Sequence, residues 1–203
     1  MPPVGIDAGL RPTHATPADG NFNLPTLPQL ANLPVTSLVS SNRAGAAGPN
    51  EDPVSRRIGL AMHRLLEWGG AASPAQCAAV AREFALSPAE AQQAADIARR
   101  IFTGEGGWAW EPERLGWQGN EVELLLGGQL LRLDRLVQRI DAGNEGHWWV
   151  LDYKSAFAPG QQPGLLAQMQ LYRAAVQQAY PGATVVAAFL TGQGGVVRVV
   201  PSA

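Results

Sequence analysis

Lysine occurs once in these 203 residues, against fourteen arginines, and it stands two positions after an aspartate in Leu151-Asp152-Tyr153-Lys154. In an extended chain, residues two apart share a face, so this carboxylate and this ammonium project together. Arginine is a planar, permanently charged fork, whereas lysine is a compact point charge that can adjust its pKa beside a small anion. A site built for the second does not accept the first. Upstream, Asp134 interrupts the apolar run Leu130-Leu131-Arg132-Leu133-Asp134-Arg135-Leu136-Val137. Ionisable groups in such a setting are costly unless they are paired or bind a metal. Two carboxylates meeting beside a main-chain carbonyl make a hard, all-oxygen site of the kind magnesium prefers, at ~2.1 Å with several waters retained.

Bringing Asp134 to Asp152 requires neighbouring strands, and the pattern supplies them. Beyond Trp117 the apolar period becomes two or continuous, predicting strands over 121–126, over 129–140 after the Gly127-Gly128 turn, and over 147–154 after a turn that starts at Gly143. The simplest arrangement is an antiparallel meander. Ahead of it, residues 55–68 carry Ile58, Met62, Leu65 and Leu66 at helical spacing and end at Gly69-Gly70. Two further helices open with Ser-Pro, and Gln76 and Glu90 follow Ser73 and Ser87 by three residues, the spacing of capping boxes. After the meander come a helix over 163–180 and strands over 184–190 and 196–200. Residues 1–53, rich in Pro, Gly, Ala and Ser, read as a linker or an extended arm, leaving 54–203 as one domain.

Composition narrows the classes. The net charge of -2 provides no global basic field, so contact with nucleic acid has to come from a local patch or a partner. A single cysteine, Cys77, excludes disulfides within the chain and any four-thiolate metal centre, and it fits a reducing, cytoplasmic setting. No stretch reaches the roughly 20 apolar residues of a membrane span, and no secretory leader is evident, so no membrane partner is expected.

The spaced residues also resemble a known family, the PD-(D/E)XK nucleases. Within it the likeness is to the RecB and AddA-like nuclease domains at the carboxyl ends of UvrD/Rep-type DNA-repair helicases. Residues 59–67, Gly-Leu-Ala-Met-His-Arg-Leu-Leu-Glu, look like the family's opening helix with its histidine, His63. Leu133-Asp134-Arg135-Leu136 looks like the first catalytic aspartate, Asp152-Tyr153-Lys154-Ser155 like the signature, and Gln168-Met169-Gln170-Leu171-Tyr172 like the Gln-x-x-x-Tyr helix. The family's upstream acidic residue is matched by Glu121, with Glu123 as the alternative. One departure is Leu131, where many members have glycine three residues before the first aspartate.

The resemblance implies a mixed α/β (α+β) fold with a restriction-endonuclease-like core, a mixed sheet whose three-stranded meander is flanked by helices. It implies a Mg²⁺-dependent deoxyribonuclease, with Mn²⁺ as a substitute, acting as an exonuclease in double-strand-break repair and recombination. Asp134, Asp152, the Tyr153 carbonyl and His63 would hold the metal. Lys154 would orient the attacking water, and Glu121, Gln168 and Tyr172 would complete the catalytic set. The partners implied are single-stranded DNA or a duplex end, and a helicase upstream in the same polypeptide or in a partner subunit. The chain itself has no Gly-x-x-x-x-Gly-Lys-Ser/Thr motif, since its one lysine lies in the signature.

Plainer readings stand beside these. Asp152 and Lys154 could form a surface ion pair worth at most about 1 kcal/mol. His63 could be a packing histidine, Gln168 and Tyr172 boundary residues of one helix face, and Trp108, Trp110 and Trp117 core aromatics instead of a stacking platform for bases. An inactive module that binds DNA or braces a helicase is the alternative function, and a small-phosphoester hydrolase a third. If the lysine's chemistry is what counts, Lys154→Arg is expected to remove nearly all cleavage of labelled DNA while leaving the urea unfolding midpoint close to wild type. Wild-type rates in that variant would show that charge alone suffices.

Overall fold

The computed structural model describes residues 52–69, 72–141, 143, 146–155 and 158–200. Of the expected linker or arm, only Asp52 and Pro53 fall among them, the one capping and the other opening the first helix; the rest of it lies outside the described residues. Helix α1 spans Pro53–Glu67, with Asp52 as its cap accepting from the Ser55 amide at 3.1 Å. Helices α2 (Pro74–Glu83) and α3 (Pro88–Thr103) each start with proline in the first turn and a complete capping box. In each box the serine hydroxyl accepts from the amide three residues on, while Gln76 or Glu90 reaches back to the serine amide. The orphan donors of both helix starts are thereby satisfied locally.

Strands β1 (Leu115–Leu126), β2 (Gln129–Arg139) and β3 (Trp148–Lys154) form the antiparallel meander, joined at Gly127-Gly128, whose φ angles of +56° and +82° suit a tight hairpin. Helix α4 (Pro163–Ala179) then carries the chain across so that β4 (Val185–Thr191) lies parallel to β3, and β5 (Val196–Val199) closes the edge antiparallel to β4. The sheet is therefore mixed, in the order β1-β2-β3-β4-β5.

Strand β1 begins six residues ahead of the expected start, because Gly116 and Gly119 broke the apolar pattern there. A Cβ at Gly116 would meet Ile140 Cγ2 at 2.9 Å, and one at Gly119 would meet the Trp117 ring at 2.6 Å. These glycines are the condition for the ladder at this point, and not interruptions of it.

Two apolar layers sandwich the sheet. On one face α1–α3 pack over Val137, Trp149, Leu151 and Tyr153. Ala91, Ala94, Ala95 and Ala98 are all buried on α3, where small side chains let α1 come close with Met62, Leu65 and Leu66. On the other face α4 lays Leu165, Met169, Tyr172 and Val176 over Leu131, Leu133, Val150 and Phe189. Leu131, at the position where glycine is common in the family, is fully buried as part of this second layer. Trp108 is buried and Trp110 stacks on Tyr153 at 5.9 Å, so both are core aromatics, while Trp117 packs on Trp148 at the exposed end. Among the described residues, no helix is long and apolar enough to cross a membrane.

Arg135 is the least expected member of the interior. Its guanidinium, buried beside the Trp110 ring, donates to the Ala109 carbonyl, to Gln118 Oε1 and to Asn120 Oδ1. It thus ties the turn after α3 to β1. Arg135→Ala leaves three oxygens short of donors and a void beside Trp110, so a loss of about 3 kcal/mol in urea unfolding is expected. A change below about 1 kcal/mol would show that water substitutes for the guanidinium.

Candidate active site

Pairing between β2 and β3 runs from Gln138↔Trp148 to Arg135↔Leu151 and then stops. The next residues on the two strands are Asp134 and Asp152. Where the ladder would have continued, the Asp134 carboxylate reaches across instead, and its Oδ2 accepts from the Tyr153 amide at 2.9 Å. A side chain therefore replaces a main-chain acceptor, and the strands part at the level of both acids.

Across the same level on β1 lies Glu121. Asn120↔Arg135 and Val122↔Leu133 flank it in register, so it faces Asp134. Its φ of +51° is in the left-handed region, a conformation that a non-glycine residue holds only when its surroundings impose it. Those surroundings are visible. Asn120 donates to the Glu67 carbonyl at the end of α1 at 3.0 Å and accepts from Arg135, while the Glu121 carboxylate meets Arg132 at 2.5 Å. Of the two glutamates weighed from sequence, Glu121 is the one near Asp134; Glu123 is exposed and pairs with Arg132 in the ladder.

Helix α1 delivers His63 from the side of the sheet that it covers. Its Nε2–H donates to the Tyr153 carbonyl at 3.0 Å, and its Nδ1 lies 3.5 Å from Asp134 Oδ2. On β3 itself, alternation sends Tyr153 toward the helices and both Asp152 and Lys154 the other way. Lys154 Nζ sits 2.6 Å from Asp152 Oδ2, with the aspartate 3 % exposed. A surface pair is thereby excluded. On that side α4 packs against β3, and Gln168 Nε2 donates to the Tyr172 hydroxyl at 2.8 Å. Gln168 Oε1 is buried without a hydrogen-bond partner. The structure thus gathers all seven residues expected from sequence: His63, Glu121, Asp134, Asp152, Lys154, Gln168 and Tyr172, with the Tyr153 carbonyl between them.

One neighbour was missed. Glu67 lies close enough for its charge to push Glu121 up, and it pairs with Arg64 at 2.5 Å. The available signal was its position one helical turn after His63, on the same face of α1.

The two aspartates are driven apart electrostatically. Burial raises Asp152, the nearby Asp134 charge raises it further, and Lys154 offsets only part, leaving its pKa at about 6. Burial also opposes ionisation of Asp134, but His63, Lys154 and the Tyr153 amide outweigh it and hold the carboxyl below its ordinary value. His63 responds in kind: burial disfavours its cation, yet Asp134 raises its pKa. Burial and the adjacent Glu67 push Glu121 up.

Among the described residues, no three His, Cys, Asp or Glu side chains already converge as a metal cage. The pieces nonetheless fit a hard divalent cation. His63 Nε2 and Tyr153 O are 3.0 Å apart, and adjacent ligands of an octahedral ion at ~2.1 Å are separated by about 3 Å. Asp134 touches the same two residues through other atoms, its Oδ2 lying 3.5 Å from His63 Nδ1 and 2.9 Å from the Tyr153 amide, and the remaining positions on magnesium are ordinarily water.

The chain matches the model of the PD-(D/E)XK nuclease superfamily over residues 39–201. It belongs to that superfamily, and the mixed five-stranded sheet with helices on both faces is the restriction-endonuclease-like core. No curated protein matches the chain in sequence.

A stability measurement reads the state of Asp152. Its folded pKa of about 6 exceeds its ordinary 3.8, so the folded protein binds this proton more tightly than the unfolded chain. The stabilisation is complete below about pH 4 and is lost as pH rises through about 6. Asp152→Asn removes the titration, so the metal-free variant is expected to gain on wild type by up to about 3 kcal/mol between pH 4 and pH 7 in urea unfolding. A difference between the two proteins that is independent of pH would contradict this.

Proposed function

We propose that the protein is a magnesium-dependent deoxyribonuclease, with Mn²⁺ able to substitute, whose cutting centre is the gap between β2 and β3. The observation that carries this is the buried Asp152–Lys154 pair, which lies beside Asp134 where the ladder ends. Superfamily membership supplies phosphodiester hydrolysis as the class of reaction.

In this reading Asp134, Asp152, the Tyr153 carbonyl and His63 hold the metal. Bound there, it would polarise the scissile phosphate and lower the pKa of a coordinated water. Asp134 is suited to the role because it is held ionised. Asp152 has to give up its proton, which it does above about pH 6. His63 releases the proton on Nε2, exposing a lone pair beside the carbonyl. Lys154 has two tasks: it neutralises Asp152, and its ammonium orients the nucleophile and offsets negative charge developing on the phosphate. Gln168 and Tyr172 brace the opposite wall, and Gln168 Oε1 offers an acceptor toward the pocket. Glu121, held ready by its constrained backbone, is a further proton acceptor at the same level.

The likeness to RecB and AddA-like domains supports a narrower proposal, an exonuclease working with a helicase in double-strand-break repair. A motor would have to lie outside these residues, either upstream in the same polypeptide or in a partner subunit. The weak overall charge agrees, because DNA delivered by a motor does not need a basic field around the nuclease. The rival reading, an inactive scaffold, is disfavoured by the presence of both aspartates and the lysine at one locus.

The deciding assay is Mg²⁺-dependent cleavage of labelled single- and double-stranded DNA by wild type, Asp152→Ala and Lys154→Ala. Losses of at least about a thousandfold in both variants are expected, consistent with removal of transition-state charge stabilisation. Robust cutting by either variant would reject the assigned centre. An inert wild type that still binds Mg²⁺ would favour the scaffold.

A further inference from the structure

Past Leu151 the end of β3 has lost β2 as a ladder partner, because the β2–β3 pairing stops at Arg135↔Leu151. Its main-chain ladder is one-sided from there on. Asp152, Tyr153 and Lys154 stay in register with Phe189, Leu190 and Thr191 of β4, and one step further the Gly192 amide donates to the Lys154 carbonyl at 2.8 Å. Whatever fixes the far end of β4 therefore fixes the backbone from which the Lys154 side chain starts.

That end is held from α3. Arg100, exposed in the last turn of the helix, donates its Nε–H to the Gly192 carbonyl at 2.7 Å. Gly192 thus gives its amide to Lys154 and its carbonyl to Arg100. Two further bonds tie the same turn to the residues after α3: the Glu105 amide donates to the Gly194 carbonyl at 2.8 Å, and Glu105 Oε2 accepts from the Val196 amide at 3.0 Å. Close approach completes the fit. A Cβ at Gly192 would meet the Ser155 carbonyl oxygen at 2.8 Å and Ile97 Cγ2 at 3.1 Å, so the turn is wedged between α3 and the end of β3. The β4–β5 hairpin is already closed by bonds between Thr191 and Gly195. An exposed arginine that gives up rotamer freedom to join it from another element adds something the turn itself does not need.

We infer that Arg100 is a positioning residue for Lys154: through Gly192 it sets where the end of β3 lies, and hence where the ammonium is presented beside Asp152. The inference rests on the nuclease reading above, in which Lys154 orients the attacking water. Because β2 and β3 have parted at this level, a loosened β4 end is not corrected from the other side by a continuing ladder. A displacement of about 1 Å in a reacting group costs up to about a hundredfold in rate, even when its cause is remote from the chemistry. The role needs a hydrogen-bond donor at the position of Nε and does not need the charge of the guanidinium.

Glutamine and methionine at position 100 separate donor from charge. The glutamine amide nitrogen stands as many bonds from Cα as arginine Nε, whereas methionine keeps the length and has no donor. With the full chain, Mg²⁺ and labelled DNA, Arg100→Met is expected to lower kcat about tenfold or more with KM within about twofold of wild type, and Arg100→Gln to recover most of the loss. Since Lys154 is the only lysine in the chain, protein made with carbonyl-¹³C lysine gives one NMR signal, from the carbonyl that Gly192 holds. That signal is expected to move in Arg100→Met and to keep its wild-type position in Arg100→Gln. An unmoved signal in Arg100→Met, or a moved one with kcat intact, overturns the inference. So do equal losses in both variants with raised KM and a shallower salt dependence, the pattern of an arginine that contacts phosphate through its charge. If wild type does not cut DNA, the nuclease reading fails, and the carbonyl signal still decides whether Arg100 holds Lys154.

Discussion

The hydrogen bond from the Tyr153 amide to Asp134 Oδ2 is the constraint on which the rest of this structure depends. A strand pair that ends by running out of residues leaves its amides to water. Here the pair ends in the interior, where an unpaired amide costs about 1–3 kcal/mol, and a carboxylate takes the place of the missing carbonyl. That single substitution of acceptor opens the gap between β2 and β3. It turns the Tyr153 carbonyl and the Asp152–Lys154 pair into the rim of the gap, and it adds to the pull of His63 and Lys154 that keeps Asp134 ionised.

The surrounding fold can be understood as support for that opening. Buried alanines on α3 let α1 approach closely enough for His63 to reach the Tyr153 carbonyl. Asn120 pins β1 to the end of α1, and Arg135 pins Asn120 to the turn after α3, so the strained backbone of Glu121 has fixed points beside it. On the far face, α4 brings Gln168 and Tyr172 to the side that Asp152 and Lys154 share. The two apolar layers are thus separate structurally but converge on one level of the sheet.

Electrostatics then gives chemically identical groups different behaviour. Asp134 is half-buried and Asp152 buried, and one is surrounded by donors and cations while the other faces a like charge with one lysine to offset it. Separation of their pKa values by environment is the usual way in which one site performs more than one acid–base task. It also gives a reason for lysine at position 154: a small ammonium on a flexible stem can neutralise Asp152 in a space where a planar guanidinium would need room for its fork.

Much of this was legible in the chain before folding. Periodicity gave the helices, the meander and the helix and two strands that follow it, because burial of one face imposes a period on every element that packs; the parallel pairing of β3 with β4 came only with the fold. The capping boxes at Ser73 and Ser87 were readable because their bonds span three residues. The candidate site was legible in outline from the lone lysine, the aspartate two residues before it and the acid among leucines. What sequence could not contain was anything set by distant neighbours. Gly116 and Gly119 looked like breaks in a strand, and only the packing of Ile140 and Trp117 makes them part of it. Glu67 looked like a helix terminus until Glu121 was placed against it. The placement of Glu121 opposite Asp134 while Glu123 is exposed, the burial of the Asp152–Lys154 pair and the early end of the β2–β3 ladder were likewise set in three dimensions. Residue type and spacing determine which groups are available, but whether a charge is buried, paired or opposed depends on segments far apart in sequence that meet only when both faces of the sheet are covered.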